Sequence, residues 1–164
     1  MEQLLSRLNP HQREAATTID GPLLIIAGAG SGKTGVITMR IAYMISQGIS
    51  PSSILAMTFT NKAAGEMTER VKELLEGLAG GGPGRGHSPH IPGTEISPRA
   101  AAKDLTISTF HAFGLAMLRR YGRLLGYRPN FTVYDTGDQI ALLTEAAREL
   151  RINPEDLEIF NLLQ

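Results

Sequence analysis

Residues 27 to 34 read Ala27-Gly28-Ala29-Gly30-Ser31-Gly32-Lys33-Thr34. Glycines at alternate positions let the backbone take left-handed or tight conformations that side chains forbid. Successive N–H groups can then face one way and form a nest for anionic oxygens. Lys33 adds a point charge at the end of the run, and the Thr34 hydroxyl is a hard oxygen suited to Mg²⁺. The chemistry such a set supports is the cradling of nucleotide phosphates, ATP with Mg²⁺ above all. The strict pattern puts glycine first. Ala27 stands there, at a position that closes the preceding segment, where a methyl group is tolerable.

This loop works only between a strand and a helix. Leu23-Leu24-Ile25-Ile26-Ala27 is a continuous apolar run, the pattern of a strand buried on both faces. A helix is expected from Lys33 to about Gln47, with Val36, Ile37, Ile41, Met44 and Ile45 at helical spacing. Its positive dipole end would point at the same anion. Upstream, Asn9-Pro10 reads as a cap and first residue of a helix over 10–18. Downstream, Ile54 to Met57 reads as a second strand. Thr60 or Asn61 caps a long helix with Met67, Val71, Leu74, Leu75 and Leu78 on one stripe. The order strand, helix, strand, helix implies a parallel sheet with right-handed crossovers.

Between Gly77 and Ala102 the periodicity collapses into Gly80-Gly81-Gly82-Pro83-Gly84 and further prolines, which reads as a flexible insertion. Its histidines, His87 and His90, have no partner ligands nearby and read as solvated. Leu105 to Ile107 is expected to be a third strand, Thr109 the cap of a helix to about Leu125, and Phe131 to Tyr134 a fourth strand. Asp135 opens a further helix to about Leu150, and Asn153-Pro154 opens another. The resulting organisation is a phosphate-loop core over 1–76, the insertion over 77–102, continuation of the core over 103–139, and a further helical stretch over 140–164. The fold class is α/β, a P-loop core with a parallel sheet flanked by helices.

The chain has 164 residues, 42% of them hydrophobic, with 16 basic and 16 acidic side chains. That composition supports a real core and excludes a disordered chain. Zero net charge leaves any nucleic-acid affinity to local clusters. Arg119, Arg120, Arg123 and Arg128 form one such cluster, with no acid between them; from charge alone a solvated helix face is the simpler reading. There is no cysteine, so disulfides and thiolate metal sites are excluded. Met1 to Leu8 lacks the apolar core of a signal peptide, and no uncharged run near the start is long enough to span a bilayer. A soluble cytoplasmic protein without membrane contact is expected.

Three further segments sharpen the reading: Leu8-Asn9-Pro10-His11-Gln12, Thr58-Phe59-Thr60-Asn61-Lys62-Ala63-Ala64 and Ile107-Ser108-Thr109-Phe110-His111. Each is weak alone. With Ala27 to Thr34, in this order, the set resembles superfamily-one DNA helicases of the UvrD/Rep/PcrA type over nearly the whole chain outside 77–102. The resemblance implies an incomplete RecA-like P-loop NTPase, the N-terminal ATP-binding part of a 3′-to-5′ helicase that moves on single-stranded DNA by ATP hydrolysis, with the start of an inserted helical subdomain over 140–164. It implies that Gln12 reads the adenine edge and that Ala27, Gly28, Ala29, Gly30, Ser31 and Gly32 cradle phosphate. Lys33 and Thr34 are then the catalytic members of the loop, with Thr34 on Mg²⁺. Phe59, Thr60, Asn61 and Lys62, with Thr109, Phe110 and His111, become single-stranded DNA contacts, and other repair or replication proteins become candidate partners. Gly35 departs from the family, which commonly has at this position an arginine that stacks on the adenine, so weaker base affinity is implied.

A motor of this class also needs an acidic pair at a strand end to order Mg²⁺ and activate water. The nearest imitation is Asp135 after Tyr134, but Thr136 and Gly137 follow, and Asp135 reads as a helix cap. The expectation is therefore a helicase piece that binds nucleotide weakly and does not unwind DNA by itself. Two other classes stay open: a nucleotide-dependent module that binds DNA or a partner without catalysis, and a small P-loop phosphotransferase.

Overall fold

The computed structural model describes residues 1–79, 90, 91 and 94–153. The chain divides into two compact units, Met1–Ala116 and Met117–Gln164.

The first unit begins with a short helix, α1 (Glu2–Leu5), and α2 (Pro10–Thr17). Asn9 caps α2 through its side chain, which accepts from the Gln12 backbone N–H at 2.9 Å. The Gln12 side chain accepts in return from the Asn9 N–H at 3.1 Å. This reciprocal box satisfies two donors that the helix start would leave orphaned. α3 (Lys33–Ser46) follows the glycine-rich loop. A 3₁₀ turn (Pro51–Ser53) leads into β1 (Leu55–Thr58), and Thr60 then caps α4 (Asn61–Leu78) by accepting from Ala63 N–H. After α5 (Pro98–Asp104) comes β2 (Thr106–Thr109) and then α6 (Phe110–Tyr121), whose last residues belong to the second unit.

β1 and β2 form a parallel pair in the register Leu55↔Thr106, Ala56↔Ile107, Met57↔Ser108 and Thr58↔Thr109. The core lies against this pair: Ile41, Ala42 and Ile45 of α3, Ala56 of β1, and Met67, Val71 and Leu75 of α4 are buried together. In α4 their spacing is the helical stripe read from the sequence; in α3 Ile41 and Ile45 match it, while Ile37 of the expected stripe is exposed. A second cluster joins Leu5, Ala16, Val36 and Met39, so α3 is packed on two sides. The Arg40 guanidinium ties α3 back to α2 by donating to the carbonyls of Ala15 and Thr18.

Two expected strands are not strands. Leu23 to Ala27 and Phe131 to Tyr134 have no ladder partner among the described residues. A strand is defined by its neighbours, and an apolar run supplies only the side chains. As a result Leu24 is 84% and Ile26 90% exposed. Among the described residues the expected α/β class is found, as helices around a small parallel sheet of two strands rather than four.

The stretch expected to be an insertion ends in ordered structure. Ile91 is buried in the main core, and Ser97 caps α5, which packs beside α4 with Ala101 buried. Residues 80–89, 92 and 93, His87 among them, lie outside the described residues; His90 is exposed.

The second unit continues from α6 into a 3₁₀ turn (Gly122–Leu125), stopped by Gly126 in the left-handed region at φ 84°. Tyr127 N–H then folds back onto the Gly122 carbonyl at 3.0 Å, and the Tyr127 and Phe131 rings meet at 5.6 Å. Asp135 caps α7 (Thr136–Glu149) in a reciprocal box with Asp138. The helix expected from Pro154 lies outside the described residues. No described helix is long and apolar enough to cross a membrane.

Candidate functional site

The glycine-rich loop has the backbone that its composition demands at two places. Gly30 and Gly32 sit at φ 74° and 84°, where an L side chain is strained. Gly28 needs no such freedom. A turn closes the loop from Ser31 N–H to the Gly28 carbonyl at 3.4 Å. Gly32 is the residue before α3 and provides no side-chain cap, so the first N–H groups of that helix are free of side-chain acceptors. Gly28 to Lys33 are all exposed.

Lys33 is turned back on the loop. Its ammonium donates to the carbonyls of Ala27 at 2.9 Å and Gly28 at 2.6 Å. An incoming phosphate would therefore replace two carbonyl partners rather than only water. Thr34 is half-buried on the first turn, and among the described residues its hydroxyl makes no hydrogen bond. Ala29 and Ser31 lie exposed at the crown of the loop.

Gln12 reaches the loop from α2. Its amide Nε2 donates to the Ser31 carbonyl at 3.1 Å, while Oε1 holds the Asn9 N–H. Both ends of the amide are thus engaged, one in a helix cap and one on the phosphate loop. A Cβ on Gly32 would lie 3.2 Å from that Nε2. The sequence pattern Asn-x-x-Gln carries the capping half of this arrangement; the link to Ser31 spans 19 residues and has no sequence signal. A cavity of about 260 Å³ opens beside this junction, lined by His11, Gln12, Ile25, Ala27, Ser31 and Lys33. At Gly35 an added Cβ would meet nothing within 4 Å.

The other expected segments converge at the carboxyl ends of β1 and β2. The register places Thr58 beside Thr109, so Phe59 and Phe110 follow side by side. Their ring centroids are 5.4 Å apart with planes tilted by 43°. Phe59 is 85% exposed and Phe110 47%, an outward aromatic pair. Asn61 and Lys62 are exposed on the first turn of α4. Thr60 and Thr109 are engaged locally: the Thr60 hydroxyl caps α4, and the buried Thr109 hydroxyl accepts from Ala112 N–H at 3.2 Å. His111 is exposed at the start of α6. Among the described residues no cluster of three acidic or histidine side chains could hold a metal by itself.

Residues 8–162 match the family described as the UvrD/REP helicase N-terminal domain. The chain is similar to the ATP-dependent DNA helicase PcrA of Bacillus subtilis (strain 168), 44% identical over 157 residues, which cover 95% of this chain and 18% of that protein. It is similar to the PcrA proteins of Leuconostoc citreum, at 40% identity over 93% of this chain and 18% of the relative, and Staphylococcus aureus (strain Mu50), at 39% over 96% and 19%. The chain thus spans under a fifth of the length of these curated relatives.

Proposed function

This chain belongs to the UvrD/REP helicase N-terminal domain family, and we propose that it supplies the ATP-binding part of an ATP-dependent 3′-to-5′ DNA helicase acting on single-stranded DNA. The observation that carries the reading is the loop Ala27–Thr34, with left-handed backbone at Gly30 and Gly32 running straight into α3.

On this reading the loop N–H groups and the start of α3 hold the nucleotide phosphates. Lys33 leaves the Ala27 and Gly28 carbonyls for the outer phosphates, where its charge offsets the charge that develops in phosphoryl transfer. Gln12 keeps the loop in place through Ser31 and offers its remaining amide N–H and lone pair to the base. Gly35 leaves open space beside the loop, which favours binding led by the triphosphate over the base. The donor set fits Mg²⁺: the Thr34 hydroxyl is a hard oxygen on the first helical turn with no protein partner among the described residues, and Mg²⁺ is commonly held by few protein oxygens plus phosphates and water. Bound there, Mg²⁺ would neutralise phosphate charge. Among the described residues the acidic pair that would activate water has no candidate: Asp135, the nearest imitation, is occupied in the α7 cap. Phe59 and Phe110 form a stacking platform for bases, with Asn61, Lys62 and His111 beside it for phosphates. Leu23 to Ala27 would be an inner strand of a RecA-like sheet once neighbours flank it. Action in the cytoplasm on DNA, alongside other repair or replication proteins, completes the reading.

The test is nucleotide binding and ATP turnover by this chain, with and without single-stranded DNA, in wild type and Lys33→Ala. The expected result is binding that Lys33→Ala abolishes at millimolar ATP, with no Lys33-dependent turnover. Unchanged affinity in Lys33→Ala refutes the site. DNA-stimulated turnover lost in Lys33→Ala would make the chain a complete ATPase, with an acid in use that the cap at Asp135 conceals.

A further inference from the structure

From Leu105 to Tyr134 the chain carries four arginines and no acidic residue, although it is neutral as a whole. The structure places Arg119, Arg120, Arg123 and Arg128 all at the surface. Among the described residues the ion pairs are Arg13–Glu2 and Lys72–Glu69, and none of the four takes part. Arg119 and Arg120 lie in the last turn of α6, and Arg123 in the 3₁₀ turn that follows it. The hydrogen bond from Tyr127 N–H to the Gly122 carbonyl folds the chain back, so Arg123 and Arg128 flank the two ends of one bond. Gly126, in the left-handed region, makes that reversal.

Aromatic rings are interleaved with these charges. The Arg120 guanidinium lies 5.4 Å from the Tyr121 ring centroid, and Tyr121, Tyr127 and Tyr134 are exposed. A solvated helix face explains exposed arginines, but such a face ordinarily mixes both signs and has no use for exposed rings. Guanidinium groups with aromatic rings between them are the footprint of a surface that follows a nucleic-acid backbone. The Phe59–Phe110 pair has few cations of its own, Lys62 being the nearest in sequence. Strands are held largely by charge, so a stacking platform alone is an incomplete binding surface.

We propose that the end of α6 and the turn after it, Arg119 to Arg128, form a second nucleic-acid contact that neutralises backbone phosphates without reading sequence. The inference rests on the reading that this chain engages nucleic acid, and it assigns charge neutralisation to residues outside the motif segments.

The test is the salt dependence of binding to a labelled oligothymidylate, read by fluorescence anisotropy on the 164-residue chain. Each phosphate contact on a single strand contributes about 0.7 to the slope of log K against log salt. Arg119→Gln with Arg123→Gln should make the slope shallower by about 1.4, Arg128→Gln by about 0.7, and Arg148→Gln on α7 should leave it unchanged. Phe59→Ala should weaken binding with the slope intact. Wild-type slope in both the double variant and Arg128→Gln overturns this inference and leaves the aromatic platform standing. A normal response to the arginine changes with no effect of Phe59→Ala overturns the platform and leaves the arginine surface. No binding by the wild type at low salt overturns both. Melting curves identify any variant that fails to fold, and the independent Arg128→Gln arm then decides.

Discussion

Phe59 and Phe110 are 51 positions apart in the sequence, yet their rings lie 5.4 Å from each other because β1 and β2 end in the same register. Two parallel strands that stop together hand their next residues to the same surface. Stacking of a base on an aromatic ring contributes about 1–3 kcal/mol, so Phe59→Ala should weaken single-stranded DNA binding by roughly 5- to 150-fold. Phe110→Ala should cost less, since that ring is already half covered. The two losses should not add in a double-mutant cycle, because the rings touch. Anisotropy with an oligothymidylate measures all three; additive losses would mean separate sites.

Gly32 and Gly28 belong to one loop but should respond differently to a methyl group. Gly32→Ala places a Cβ at φ 84° and 3.2 Å from Gln12 Nε2. The left-handed backbone alone costs about 1–2 kcal/mol, and the crowding strikes the side chain that braces the loop. Gly28→Ala meets neither obstacle. Thermal melting should fall clearly for Gly32→Ala and little for Gly28→Ala. Equal melting points would show that the loop relaxes around the added methyl group without loss.

Gln12→Ala removes the bond to Ser31 and half of the α2 cap. Lost caps and single hydrogen bonds each cost about 1 kcal/mol. Gln12→Ala should therefore lower stability by an amount of that order and lower ATP affinity as well. Loss of affinity without loss of stability would instead assign Gln12 to base contact alone.

Leu24 is 84% exposed in a run that reads as a buried strand. An exposed apolar run without ladder bonds is a template for pairing with another chain. The isolated chain should self-associate through residues 23–27, and Leu24→Lys should reduce that association. Light scattering over a concentration series checks it; unchanged association in Leu24→Lys places the contact elsewhere.

The main core has a different sensitivity. Leu75 is fully buried against α3 and the sheet. Leu75→Ala should cost about 2–5 kcal/mol through lost burial and the cavity left behind. Urea unfolding measures it, and a loss under about 1 kcal/mol would show that the α3–α4 interface collapses into the space.

Elements governed by nearby residues were legible in the sequence. The Asn9-Pro10 helix start, α3 after its glycines, the Thr60 cap and the Asp135 cap all lie where side-chain chemistry within a few residues puts them. The motif segments were legible for the same reason, since a phosphate loop is a local device. What depended on distant partners was not. Leu23 to Ala27 has the side chains of a strand, but ladder bonds come from neighbours that no local pattern supplies. Ile91 joins the core from a stretch whose composition reads as linker, because burial depends on what the chain meets in space. The tertiary structure alone decided that Gln12 is fastened to Ser31, that Lys33 rests on the carbonyls of its own loop, and that Phe59 faces Phe110. Each is a contact between groups whose chemical types the sequence declares, at distances that only the packing of α2, α3 and the paired strands sets.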